Sequence, residues 1–193
     1  MNFLSFALVP ASVIDWGLIS MTLFSRFVCS LAVAAFALVA QPMGGPAEAR
    51  QPAMAELWNG AEIEWREIGP GVREATRTGK PVIMLFHASW CPSCKQYRQV
   101  WKDAGVVEAS RNFVMILVDV DKDPGANGAF SPDGTYVPRT LFLDSDGNVQ
   151  SDVAGADPQY PHSLDISQPD ELRSLMQKAA GKFAGKDRRT SND

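Results

Sequence analysis

The chain has 193 residues and a formal net charge of −4, with 18 Lys and Arg against 22 Asp and Glu. That length allows one ordinary domain with a real core. The mildly acidic balance excludes the basic patch that a nucleic-acid partner requires, and the short basic group Lys186, Arg188 and Arg189 reads as a solvated terminus.

In chain order, residues 1–49 read as a targeting leader. Arg26 supplies one positive charge, and Phe27 to Ala40 is an apolar run. Ala47-Glu48-Ala49, after the helix-breaking Gly44-Gly45-Pro46, matches an A-x-A cleavage site. Cleavage there would make Arg50 the first mature residue. The apolar run is short of the roughly 20 residues that a membrane span needs. Residues 1–20 fit a leader less well, since they carry only Asp15 as a charge and precede a second methionine. Met21 is therefore read as the true start. An uncleaved membrane anchor made from the longer apolar region is the competing reading. Cys29 opens the apolar run instead of closing it, so it is not in a lipoprotein position. Loss of the leader leaves a mature chain with no stable membrane span and with Cys91 and Cys94 as its cysteine pair.

Residues 50–60 read as a linker or irregular lead-in to a domain over 61–185, with a polar tail over 186–193. Glu62 to Glu67 alternates, with Ile63 and Trp65 on one side, and predicts a short edge strand. Gly69-Pro70-Gly71 is expected to break it. Val72 to Thr78 then predicts a short helix capped by Gly79. Pro81 to Phe86 is a continuous apolar run that suits a central strand buried on both faces. Tyr97, Val100 and Trp101 share one face of a predicted helix over Lys95 to Asp103. Asp103-Ala104-Gly105 interrupts it, and Val106 to Ser110 adds a turn.

Phe113 to Val118 predicts a second buried strand, and Gly125 to Tyr136 reads as a loop. Thr140 to Leu143 predicts a strand, Asp144-Ser145-Asp146-Gly147 a hairpin turn, and Asn148 to Val153 the returning strand. Gly155 to Gln168 is a further loop. Asp170 to Phe183 predicts a terminal helix with Leu172, Leu175, Met176 and Ala179 as its apolar stripe. Helices alternating with the first strands imply parallel pairing, and the closing hairpin adds antiparallel strands. The expected fold is α/β, a central mixed β-sheet with helices on both faces.

Ser89-Trp90-Cys91-Pro92-Ser93-Cys94-Lys95 stands where the first apolar strand gives way to a helix. A C-x-x-C in that setting is the local signature of a thioredoxin-type redox site. The pair closes too small a loop to staple a fold, so it reads as chemical, not structural. Zinc would need two more ligands, and the mature chain offers only His87 and His162 besides carboxylates, without the usual paired spacing. Asp119, Asp121 and Asp123 alternate like the start of a calcium loop. However, Pro124 displaces the required glycine and Phe130 the closing glutamate. No metal and no cofactor are expected. Trp65, Tyr97 and Trp101 read as core.

Cys91 is the candidate nucleophile, expected to be exposed at a helix N-terminus whose unpaired N–H groups favour a thiolate. Cys94 is the candidate resolving thiol, one turn inside. Pro92 is tolerated in a first helical turn, and Pro92 and Ser93 help to set the reduction potential. Trp90 would shield the site. His87, four residues before Cys91, could tune the thiolate, although packing at a strand end is preferred. Lys95 could add positive potential, against the commoner case of a solvated helix lysine.

From about Ile63 to Phe183 the chain resembles the thioredoxin superfamily. Trp90 to Lys95, Asp121-Lys122-Asp123-Pro124 and Val137-Pro138 carry the likeness. The run Ser131 to Arg139 with Leu141-Phe142-Leu143-Asp144, together with Trp65-Arg66 and Asn112-Phe113-Val114-Met115, is similar to the endoplasmic-reticulum thioredoxin-domain proteins related to the anterior-gradient group. Those proteins end in a retention tetrapeptide, whereas this chain ends Thr190-Ser191-Asn192-Asp193, so a bacterial periplasmic or secreted relative is expected. The resemblance implies a thiol–disulfide oxidoreductase acting with client protein thiols and disulfides and a separate redox partner. A monomer is expected. It also implies that Pro138 is cis, packs beside the sulfurs and presents the backbone of Val137 to a peptide. Thioredoxin itself has an acidic residue six positions before the first motif cysteine and a lysine near the end of the third strand. Leu85 and Leu117 stand at those positions here. A non-catalytic thioredoxin-like binding or chaperone module is the alternative class, and it would not require both cysteines.

Overall fold

The computed structural model describes residues 51–190. The leader expected over 1–49, with Cys29 and the start at Met21, and the last residues of the expected tail, 191–193, lie outside the described residues. The elements run in order as a 3-10 turn (Ala55–Trp58), β1 (Trp65–Arg66), α1 (Ile68–Thr78), β2 (Val82–His87) and α2 (Pro92–Tyr97). A second 3-10 turn (Val100–Lys102), α3 (Ala104–Ser110), β3 (Val114–Asp119), α4 (Pro124–Ala129), β4 (Arg139–Leu143) and α5 (Asp170–Thr190) complete them.

The sheet order is β1-β3-β2-β4. β1 and β2 run parallel to β3, and β4 runs antiparallel to β2. Every residue of β2 and β4 is buried, and of β3 every residue but Asp119. A strand hidden along its whole length needs cover on both faces, and the helices supply it. The fold is the α/β arrangement expected, a mixed sheet flanked by helices. No helix among the described residues is long and apolar enough to cross a membrane.

β1 is the predicted edge strand, shortened to two residues that pair with Met115 and Ile116. α1 begins at Ile68, four residues before the predicted start, so Gly69-Pro70-Gly71 forms its first turn instead of breaking the chain. Pro70 fits because first-turn N–H groups have no intrahelical partner to lose. Gly71 fits because α1 approaches β3 closely there, and a Cβ would lie 2.6 Å from Ile116 Cγ1. Gly79 caps α1 with φ at 71°, the left-handed conformation in which glycine is least strained.

Four further differences stand between the expected and observed elements. The helix expected over Lys95 to Asp103 divides into α2 and a 3-10 turn. Residues 124–129, read as loop, form α4, because Asp123 accepts a hydrogen bond from Ala126 N–H and Pro124 occupies the first turn. The returning strand expected over Asn148 to Val153 is reduced to one bridge, Leu143 with Val149. Asp144 Oδ1 there accepts from the N–H groups of Asp146 and Asn148, turning the chain tightly. α5 runs on to Thr190, so part of the expected polar tail is helical.

The lead-in over 50–60 also carries part of the core. Trp58 is fully buried, 6.2 Å from the Tyr97 ring, and its carbonyl accepts from Trp65 Nε1 at 2.7 Å. Trp58→Ala is expected to cost about 3–5 kcal/mol of stability, read as a lower denaturant midpoint. A loss below about 1 kcal/mol, the scale of surface substitutions, would show that this turn does not belong to the core.

Candidate functional site

The antiparallel pairing of β2 with β4 sets Phe86 opposite Arg139. The residues that leave β2 therefore meet the residues that enter β4. Cys91 is the N-cap of α2, with extended backbone, and Pro92 is in the first turn. That geometry turns the N–H of Cys94 toward the Cys91 sulfur, to which it donates at 3.0 Å. Cys91 and Cys94 form a disulfide with a Cα–Cα distance of 5.3 Å.

On the opposing strand, the Val137–Pro138 peptide is cis. The Val137 carbonyl oxygen lies 3.6 Å from Cys91 Sγ, and Pro138 is buried. Cys91 was expected to be exposed, but only 2% of its surface is accessible. The Val137 carbonyl on one side and the fully buried Cys94 on the other account for the cover. Trp90 is 62% exposed, and its Nε1–H donates to Asp121 Oδ1 at 3.2 Å. Pro92, Ser93 and Lys95 are exposed on α2.

The strands that lead to the pair are mostly apolar. Leu85 is the register partner of both Leu117 and Thr140, and all three are buried. Tyr97 shares a hydrogen bond with Thr140 Oγ1 at 3.1 Å, and burial raises its pKa above the ordinary phenol value. His87 is buried in the core, 5.3 Å from the Trp58 ring and opposite Asp119 in β3. Neither of its ring nitrogens has a hydrogen-bond partner among the described residues. Burial pushes its pKa down to about 4, against the upward pull of Asp119.

The aspartates after β3 have structural duties. Asp119 accepts from Asp121 N–H, Asp121 holds Trp90, and Asp123 caps α4. Among the described residues no group of three or more His, Cys, Asp and Glu could hold a metal ion.

Sequence reasoning missed a second polar group beside the site. Asp133, Tyr136, Arg139 and His162 converge on the chain that leads into Val137. His162 had entered only as a possible zinc ligand; its Nδ1 instead lies 3.1 Å from Asp133 Oδ1. No spacing joins residues from two separate loops, so only the folded chain reveals the group.

A family model described as thioredoxin-like matches residues 65–145, a stretch that contains the C-x-x-C and the cis proline. The chain is 40% identical over 87 residues to the thiol:disulfide interchange protein DsbD of Ralstonia nicotianae, covering 42% of this chain and 14% of that protein. It is 32% identical over 127 residues to anterior gradient protein 2 of Xenopus laevis, covering 62% of this chain and 65% of that protein. It is 34% identical over 87 residues to the chloroplastic thioredoxin-like protein HCF164 of Arabidopsis thaliana, covering 45% and 33%. The chain thus spans less than two thirds of the length of each.

His87 yields a prediction for acid stability. Its folded pKa of about 4 lies below the ordinary value of 6.5. Between those values the unfolded chain binds a proton that the folded chain excludes, so stability is full above pH 6.5 and falls as pH drops toward 4. The loss from this group amounts to about 3 kcal/mol. His87→Leu should remove that part of the pH dependence, seen as urea midpoints that fall less steeply between pH 6.5 and 4. Equal slopes in the two proteins would contradict the assignment.

Proposed function

We propose that this chain, whose residues 65–145 match a thioredoxin-like family model and bear a C-x-x-C pair, exchanges electrons with client protein disulfides through Cys91 and Cys94. The observation that carries this reading is the hydrogen bond from Cys94 N–H to Cys91 Sγ beside the cis Val137–Pro138 peptide. An N–H aimed at the first sulfur stabilises it as a thiolate, the form that attacks disulfides. Cys94 has no surface exposure and suits the resolving role.

In the reducing direction, the Cys91 thiolate attacks one sulfur of a client disulfide. A Cys91–client disulfide forms, and the other client sulfur leaves as a thiolate that takes a proton from water. Cys94 loses its proton to water and attacks the Cys91 sulfur, which releases the second client thiolate to be protonated in turn and forms the Cys91–Cys94 disulfide. Two electrons pass from the pair to the client. The reverse sequence oxidises a client dithiol and leaves the pair reduced, and a separate redox partner resets the pair in either case. Trp90 covers the outer side of the site, and Val137 offers its backbone to an extended client segment. Leu85 and Leu117 leave the interior without the acid and lysine of thioredoxin itself, so proton transfer at Cys94 is expected to be slower. The apolar run Phe27 to Ala40 and the Ala47-Glu48-Ala49 site support an extracytoplasmic location, periplasmic or secreted, where disulfides persist.

Trapping tests the division of labour. Cys94→Ser should accumulate a mixed disulfide between Cys91 and a client protein, and Cys91→Ser should accumulate none; both should lose disulfide turnover. Full function in both variants would replace the oxidoreductase reading with a thioredoxin-like binding module. Equilibration of the wild-type pair against glutathione sets the direction, since a strongly reducing value counts against an oxidase.

A further inference from the structure

Arg139 follows the cis proline as the first residue of β4, and its side chain has no surface exposure. Nη1 donates to the Tyr136 carbonyl at 2.9 Å. Nη2 donates to Asn127 Oδ1 at 2.9 Å, to the Phe130 carbonyl at 3.0 Å and to the Asn127 carbonyl at 3.3 Å. The guanidinium carbon lies 4.2 Å from the centre of the Phe86 ring, its register partner in β2. None of the ion pairs among the described residues includes Arg139.

Removing a cation from water costs several kcal/mol, and burial lowers the Arg139 pKa accordingly. An apolar side chain of similar volume would fill the same space without that cost. What an apolar residue cannot supply is the planar fork of donors, and here every bond from the fork goes to one segment, Asn127 to Tyr136. That segment runs directly into Val137.

The same segment is held from its other side. The Tyr136 hydroxyl donates to Asp133 and accepts from His162 N–H at 3.1 Å. The His162 carbonyl accepts from Thr140 N–H at 2.8 Å, which ties this second loop to β4. The Tyr136 ring meets the Tyr160 ring edge to face at 5.1 Å, and Tyr160 is 43% exposed.

We infer that Arg139 is a positioning residue whose guanidinium ties the end of α4 and the segment after it together and so holds the Val137 backbone beside Cys91 as a preformed docking edge for an extended client segment. The inference deepens the proposed function and rests on its reading of Val137 as the client's contact. A preformed edge lowers the ordering cost of binding. Its loss should therefore weaken capture of protein disulfides and spare the chemistry at sulfur.

The test is single-turnover oxidation of pre-reduced protein by insulin, a protein disulfide, and by hydroxyethyl disulfide, which has no chain to dock. Lysine keeps the charge but not the fork. In Arg139→Lys the half-saturating insulin concentration is expected to rise roughly tenfold, with the saturating rate and the hydroxyethyl disulfide rate within about twofold of wild type. Amide hydrogens over residues 127–137 should exchange faster in the same variant, by a larger factor than those of β2 and β3. Asn127→Ala removes one acceptor from a half-buried side chain and should shift insulin half-saturation in the same direction by less. Equal slowing toward both disulfides, or unchanged insulin half-saturation in the lysine variant, would overturn the inference. Failure of the wild-type protein to exchange with either disulfide would overturn the oxidoreductase reading, and this assignment with it.

Discussion

The site depends on one register. β4 runs antiparallel to β2, with Phe86 opposite Arg139 and Leu85 opposite Thr140. This pairing places the end of one strand beside the start of the other, so that Cys91 and Val137, far apart in sequence, face each other across 3.6 Å. A slip of one residue would reverse which side chains of β4 face each layer of the fold. Full burial of Met84, Leu85, Phe86, Leu141, Phe142 and Leu143 opposes such a slip, because it would move these apolar side chains out of the packing they fill.

Around that register the polar groups are distributed unevenly. In the strands that lead to the site, Leu85 stands opposite Leu117 and a neutral His87 packs on Trp58. The polar network lies instead on the β4 side, in Arg139, Asp133, Tyr136 and His162. Burial alone would raise the Asp133 carboxyl, but the Tyr136 hydroxyl and the neighbouring His162 bring it below the ordinary value. The buried Arg139 holds the chain leading to Val137, and the sulfur pair relies on a backbone N–H.

The local features were legible in the sequence because each rests on short-range chemistry. The apolar run at Pro81 marks β2, Gly79 marks the end of α1, and the C-x-x-C marks the start of α2. α4 was missed because Gly125 and Gly128 outweighed the Asp-Pro start signal. The returning strand was overread because alternation after a turn signal also fits a chain that Asp144 bends back through its side chain. Trp58 looked like part of a linker because its partners, Tyr97 and His87, lie far along the chain. The burial of Cys91 was invisible for the same reason, since the Val137 carbonyl that covers it arrives from another strand.

The central claim is that the Cys94 N–H makes Cys91 the reactive sulfur despite its burial. Timed alkylation of the reduced protein with iodoacetamide at neutral pH, with peptide mapping of the modified residue, addresses it directly. Cys91 is expected to react first, and faster than free glutathione, while Cys94 stays unmodified. Modification of Cys94 first, or reaction of Cys91 no faster than glutathione, would contradict the account.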